Sequence, residues 1–259
     1  MSESVLYEVR DDAAWITLNR PDNRNAFSAD LTEGLQAAVT RALRDAAARM
    51  MVISAEGPIF CAGADLKAAR GGTLQEKNVA GLTPVAAILL QLWESPKPVL
   101  GRVQGGAYGG GLGLVSVCDL AIAQEDARFA FSEVRLGVTP AVISVVVLRK
   151  MGVTNATPLF LTGQRFDARQ AQALGLVYRT APQAQLDAAV AETVHQLREC
   201  GPQALSEIKN VLRHVPGLSV EAGFRWAQEQ TQRLFASEEA AEGRAAFKER
   251  RRPAWAPAE

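Results

Sequence analysis

Hydrophobic and polar positions change their period several times along the chain. From Val5 to Leu18, "VLYEVRDDAAWITL", apolar and polar residues alternate in two runs broken by Asp11-Asp12. A period of two around a polar break predicts a β-hairpin. In "SADLTEGLQAAVTRALRDAA" the period lengthens, so that Leu31, Leu35, Ala38, Val39 and Ala42 share one helical face behind a good N-cap, Ser28. Met50–Ser54 and "KPVLGRVQG" (97–105) are short apolar runs suited to buried strands, with Pro98 tolerated at the start of the second. A glycine-led helix is expected next, then short strands in "DLAIA" and "ARFAFS". Apolar strands alternating with helices indicate an α/β protein.

From about residue 140 the helical period dominates. "PAVISVVVLRKMG" predicts a helix ending on a C-cap glycine, "DARQAQALG" a short helix, and "LVYRT" a strand. Beyond Leu186 four amphipathic helices are expected, at 186–199, 202–214, 219–236 and 238–250. Glycines become few there and charges frequent, which divides the chain into a core, 1–199, and a helical segment, 200–259. No repeat of fixed period is present.

Composition narrows the function classes. With 259 residues, 48% of them hydrophobic, the chain can bury one large core. Lys+Arg 28 balances Asp+Glu 28, which removes any electrostatic ground for a nucleic-acid or anionic-membrane partner. No apolar run reaches the ~18 residues of a membrane span. Cys61, Cys118 and Cys200 are odd in number and lack metal spacing, so reduced thiols in a cytoplasmic protein are expected. The opening "MSESVLYEVRDD" lacks a basic start and an apolar core, and no secretory signal is expected.

Glycine-rich "GGGLGL" (109–114) invites a phosphate-binding reading, but no register fits. The dinucleotide fingerprint needs glycine at its sixth position, which here is Leu114, or Ser116 if counted from Gly111. The two histidines, His195 and His214, lie in the helical tail, where surface positions are expected, and no Gly-x-Ser-x-Gly elbow is present. No metal site is expected. Two glycine-bearing turns remain. "GPIFCAGADLKAA" (57–69) follows a strand, crosses Gly63 and enters a helix expected at Asp65; the triple glycine makes a similar turn. N–H groups at helix entrances point outward unpaired. Two readings stay open: tight strand–helix connections, or two N–H groups aimed at one oxygen, as in an oxyanion hole.

The ordered motifs "GPIFCAGADLK", "VQGGAYGGGLGLVSVCDLAIA" and "ARFAFSEVRLGVTPAVIS" resemble the crotonase superfamily of enoyl-CoA hydratases and isomerases. "WITLNRPDNRNAFS" before them and "EEAAEGRAAFKERRRP" after them extend the resemblance over nearly the whole chain. It implies an α/β spiral of repeated β-β-α units and a helical C-terminal trimerisation segment, in a homotrimer or a dimer of trimers. It also implies an acyl-CoA ligand, with no cofactor beyond the coenzyme A that belongs to the substrate. The N–H groups gripping the thioester carbonyl would be those of Ala64 and Gly110. Coenzyme A would lie along Arg24, Ala26, Ala62, Asp65 and Leu66, with Phe247 and Arg250 placed to touch it, in a neighbouring subunit or the same one.

The same resemblance assigns two glutamates to the usual hydratases. The second maps to Glu133; the first maps to Gly113, which has no side chain. Glu133 alone would have to serve as both base and acid, or another side chain would have to help; moving one proton with one base is simpler and suits an isomerase. "SEVRLGVTPAVIS", joined to the G-x-G-L after the triple glycine, is instead similar to bacterial hydratases of the methylglutaconyl and isohexenylglutaconyl type. Hydratase is the preferred expectation; delta-isomerase, a non-catalytic acyl-CoA binder and C–C cleavage or decarboxylation are the alternatives. Arg135 would hold a substrate carboxylate or end a strand in a salt bridge, and Gln104, where the family usually has Asn, implies altered packing. If Gly113 faced the water site, a glutamate there would be accommodated and would support hydration.

Overall fold

The computed structural model describes residues 3–65 and 81–257. They fall into two compact units, one from Met1–Ser95 with Val99–Glu192, the other from Pro96–Pro98 with Thr193–Glu259.

The first unit begins as its alternation predicts. β1 (Val5–Arg10) and β2 (Ala13–Leu18) pair antiparallel. Asp11 and Asp12 take φ angles of 50° and 57° at the turn, the left-handed geometry that two-residue hairpins require and short acidic side chains tolerate. α1 (Ala29–Arg44) buries the expected stripe from Leu31 to Ala42. β3 (Met50–Ala55) is buried along its length and parallel to β2. There follow α2 (Pro84–Glu94), β4 (Val99–Val103), β5 (Gly106–Tyr108), α3 (Gly110–Val117), β6 (Leu120–Gln124) and β7 (Arg128–Ala130). A 3-10 turn, Ser132–Leu136, leads to α4 (Ala141–Thr162), β8 (Phe166–Asp167), α5 (Ala168–Ala173) and β9 (Arg179–Ala181).

Two sheets result. The larger has the order β1-β2-β3-β4-β6-β9, the smaller β5-β7-β8. Successive passages of the chain give one strand to each sheet and then a helix, as in β4-β5-α3 and β6-β7-α4. This is the β-β-α spiral.

Polar side chains fix the loops that leave the sheets. Gln104 Nε2 donates to Ala55 O (2.6 Å) and Gly57 O (3.0 Å), tying the end of β4 to the end of β3. Asn25, 0% exposed, accepts from Arg20 N–H (2.8 Å) and donates to Glu56 O and Ile59 O (2.9 Å each). It clamps the turn before α1 against the turn after β3.

Three elements differ from the sequence expectation. Gly152 does end a helix (φ 74°, ψ 160°), but helix resumes beyond this kink to Thr162. α2 was not expected; its N-cap is Thr83, whose hydroxyl accepts the Ala86 N–H. The strand expected at 176–180 is β9, displaced to Arg179–Ala181.

In the second unit α6 (Leu186–Arg198), which spans the division between units, is followed by α7 (Pro202–His214), α8 (Val220–Phe235) and α9 (Glu238–Glu249). The Glu239 carboxylate accepts the N–H groups of Gln203 (2.8 Å) and Ala204 (2.9 Å), an anion capping the positive end of α7. His195 lies 3.8 Å from Glu199, and His214 stacks on Trp226. Among the described residues no helix is long and apolar enough to cross a membrane.

Replacing Asn25 with Ala leaves three part-buried main-chain groups without their partner, at roughly 1–3 kcal/mol for any of them that water does not reach. Urea unfolding of Asn25→Ala should show a loss of about 2–4 kcal/mol against the wild type.

Candidate active site

Four chain segments run side by side and end at one place. β5 and β7 pair in parallel, with Tyr108 opposite Ala130. Cys61 bridges Ala107 in parallel on the other side of β5, and Phe27 bridges Ala64 beyond that. Parallel neighbours present their C-terminal ends together, where ligand crevices form in such sheets. Those ends lead into Ala64, Gly110 and Glu133.

A cavity of about 660 Å³ opens there, lined by Phe27, Ala64, Asp65, Gly110 and Glu133, by Thr32, Glu33 and Gln36 of α1, by Thr83–Val85, and by 138–143. Ala64, Asp65, Gly110 and Glu133, widely spaced in sequence, therefore meet in one space.

Backbone conformation aims the first turn. Phe27 N–H donates to Gly63 O at 2.7 Å. Gly63 has φ +85°, and a Cβ there would stand 2.5 Å from Tyr108 O and 3.1 Å from Gly110 N. The two turns are thus in contact at the residue that precedes one donor and at the nitrogen of the other. Gly109, the N-cap of α3, has φ 49° and ψ −123°, a combination open to glycine alone. Its N–H is held by Ala130 O (3.0 Å) and its carbonyl accepts Leu112 N–H (2.9 Å). Gly110 is then the first residue of α3, where an N–H has no partner within the helix.

Glu133 reaches this point because β7 does. A Cβ on Gly109 would stand 3.2 Å from Glu133 Oε1, so the bare glycine lets the carboxylate lie beside the Gly110 turn. Its Oε2 is buried and has no hydrogen-bond partner among the described residues. Burial pushes the Glu133 carboxyl above its ordinary value of 4.5, while a hydrogen bond from its own backbone opposes the rise.

Gly113 departs from the simplest expectation. It is buried in α3, and a Cβ there would stand 2.6 Å from Ile143 Cγ2 and 3.1 Å from Leu89 Cδ1. Its side-chain direction runs into aliphatic packing against Ile143, which itself lines the cavity. A glutamate there therefore needs Ile143 to shift.

A second cavity of about 510 Å³ is lined by Arg24, Pro58, Ile59, Ala62, Tyr108 and Arg165. It lies on the far side of the same two turns: Ala62 and Tyr108 face it, Ala64 and Gly110 face the first. Arg24 and Ala62 are also joined, Ala62 N–H donating to Arg24 O (3.0 Å). Ala26 is buried, and Asp65 accepts from Asn23 Nδ2 (2.9 Å). Leu66 and the helix expected after Asp65 lie outside the described residues. In the second unit Phe247 is 88% exposed and Arg250 caps α9 in a left-handed conformation. Arg135 lies in the 3-10 turn, not at a strand end, and donates from Nε to Thr162 O (3.3 Å) at the end of α4; it is not among the residues lining the first cavity. Among the described residues no group of three or more His, Cys, Asp or Glu could hold a metal ion. Cys61 is buried, its Sγ 3.0 Å from Asn25 O, and burial pushes its thiol up to about 12, which makes it inert.

Sequence reasoning did not single out Phe27, Tyr108, Ile143 or Arg165. Phe27 and Ile143 look like core residues in any local pattern; Arg165 follows the helix-ending Gly163 and carries a charge where a turn alone needs none.

Two glycine turns and one half-buried carboxylate thus converge on a single cavity at the strand ends of a β-β-α spiral. The chain belongs to the enoyl-CoA hydratase/isomerase family of the crotonase superfamily, whose family model matches residues 8–257. It is similar to the carnitinyl-CoA dehydratase of Proteus mirabilis, 30% identical over 266 aligned residues that cover 98% of this chain and 99% of the relative. Among solved structures it resembles an enoyl-CoA hydratase from Shewanella pealeana, with TM-score 0.90, 34% identity and 97% and 96% of the two chains covered. It likewise resembles Pseudomonas aeruginosa AtuE, with TM-score 0.90, 34% identity and coverage of 98% and 100%.

Two outcomes follow from this packing. Because the folded carboxyl of Glu133 titrates above its unfolded value, the native state binds the extra proton between the two values; stability is full below the ordinary value of 4.5 and is lost as pH rises through the folded one. Thermal scans should therefore find Glu133→Gln at least as stable as wild type at neutral pH, with any gain vanishing below about pH 4. A less stable Glu133→Gln at neutral pH would contradict the cause assigned to the shift. Gly113→Glu should unfold at lower urea, by about 1–3 kcal/mol or more from overpacking against Ile143, and Ile143→Ala in the same chain should recover part of the loss.

Proposed function

We propose that the chain is an enoyl-CoA hydratase that adds water across a 2-enoyl thioester with one carboxylate, Glu133. The observation that carries this reading is the half-buried carboxylate beside the Gly110 turn, its Oε2 buried and its proton affinity raised by desolvation. Ionised Glu133 takes a proton from water as the water oxygen bonds to C3. The π electrons move to the thioester oxygen, where the Ala64 and Gly110 N–H groups stabilise the enolate by about 3–4 kcal/mol per donor. The enolate then collapses, C2 takes the same proton back from Glu133, and a 3-hydroxyacyl-CoA leaves. The carboxylate begins and ends ionised. Its raised affinity suits the second half, since a weaker acid is a closer match to operation near neutral pH.

The relatives' names, hydratase and dehydratase, support water addition and removal as the chemistry. Arg24 and Arg165 at the second cavity suit the phosphates of coenzyme A, because guanidinium groups pair with phosphate oxygens in a fixed fork. Exposed Phe224, Phe235 and Phe247 support self-association of the second unit.

One observation favours a second reading. The space off Gly113 is filled by Ile143 and Leu89, so the cavity has no acid at that place to assist water. A delta-isomerase needs none: Glu133 would take a proton from C2 of a 3-enoyl thioester and return it to C4.

Parallel assays on 2-enoyl-CoA and 3-enoyl-CoA separate these readings. We expect 3-hydroxyacyl-CoA from the first substrate, with Glu133→Gln slower by about 10²–10⁴-fold. In D₂O a single base on one face should place deuterium at C2 on the same side as the new hydroxyl, read by NMR coupling. Double-bond migration on the second substrate with no water uptake would replace the reading with isomerase. Silence on both, with acyl-CoA still bound, would leave a binding protein.

A further inference from the structure

We propose that Phe27 is the positioning residue of the oxyanion hole, holding the Ala64 and Gly110 donors in mutual register through two different parts of itself. This inference rests on the reading of those N–H groups as donors to a thioester oxygen. The main chain of Phe27 acts on one turn. Its N–H holds Gly63 O at 2.7 Å, inside the parallel bridge that joins Phe27 to Ala64. A planar peptide points its carbonyl and its N–H in opposite directions. With the Gly63 carbonyl turned towards Phe27, the Ala64 N–H of the same peptide turns away from it. Segment 61–64 lies between Phe27 and β5, so that direction is the side of the Gly110 turn.

The ring of Phe27 acts on the other turn. A Cβ built on Gly110 would stand 3.1 Å from Phe27 Cε2 and 3.2 Å from Cδ2. The ring therefore fills the space beside Gly110 that a Cβ would take, and Phe27, 8% exposed, also lines the cavity. One residue thus sets the orientation of the first donor and supports the position of the second. Donors act on a developing oxyanion only within a narrow distance of where it forms, about 2.7–3.1 Å. A drift of a few tenths of an ångström at Gly110 weakens the bond to the enolate more than the bond to the neutral thioester. Such a loss appears in kcat and leaves ground-state binding nearly unchanged.

The test compares wild type, Phe27→Leu and Phe27→Ala, with folding checked by circular dichroism. Two quantities are read besides turnover. One is the Kd of a saturated acyl-CoA. The other is the absorbance of a bound aryl-enoyl-CoA carrying an electron-donating group, which moves to longer wavelength as its carbonyl is polarised. For Phe27→Ala we expect kcat to fall by about 10²-fold, Kd to stay within about threefold, and most of the red shift to disappear. Phe27→Leu keeps an apolar body behind Gly110 but not the ring edge, and should show the same pattern at about a tenfold loss in kcat. It serves as the deciding variant if Phe27→Ala does not fold.

A wild-type red shift and kcat in both foldable variants would overturn the inference. So would a loss confined to Kd and KM, which would make the ring an acyl-pocket wall and nothing more. Absence of the red shift in wild type would overturn the hole itself, and with it the function proposed above. A shift present in wild type and kept in the variants removes only the role of Phe27.

Discussion

A trans peptide is planar, and its two polar groups point opposite ways; the site is built on that constraint. Main-chain donors cannot be re-aimed by choosing a rotamer. They are aimed by tying down the carbonyl on the other edge of the same unit. Gly63 O is held by Phe27, and Gly109 O is held by Leu112 at the start of α3. Each bond is an ordinary piece of secondary structure, one in a strand bridge and one in a helix. The two peptides are consequently as rigid as the strand bridge and the helix that hold them, and on the proposed reading they need no reorganisation when charge develops. The layered arrangement has the same purpose: parallel segments bring their ends together, and the Ala64, Gly110 and Glu133 positions follow from register in the small sheet.

Glu133 shows the opposite balance. Its carboxyl is placed where burial raises its proton affinity, with Oε2 lacking a partner among the described residues. A buried acceptor without a donor weakens a fold. Such groups persist where chemistry needs a carboxyl that can hold and release a proton near neutral pH. The surrounding main chain compensates through contacts that have no catalytic part, among them the Asn25 clamp and the Gln104 bonds to Ala55 and Gly57.

Much of this was legible in the sequence where the cause is local. Asp11-Asp12 announces a hairpin, the Leu31–Ala42 stripe announces α1, and the helices after Leu186 follow from their periodicity almost to the residue. The family and its spiral were legible from the order of several motifs. What escaped depends on contacts between distant segments. Gly152 carries a true helix-ending conformation, yet tertiary packing restarts the helix beyond it. Gly113 was visible as a missing side chain, but its surroundings are set by Ile143 and Leu89 from two other helices. Phe27 bears no chemical group that would single it out, and its importance lies in what its backbone and ring touch.

The aliphatic filling at Gly113 bears on how one carboxylate suffices. A polar side chain at that position would bring its own charge and solvent near the cavity. Ile143 instead presents a hydrocarbon surface to the same space. A drier wall lowers the local dielectric, which strengthens fixed N–H dipoles acting on an enolate. Burial at the same site favours the protonated form of Glu133. On the proposed reading one proton carrier, Glu133, serves one face of the substrate, whether that proton comes from water or from the acyl chain.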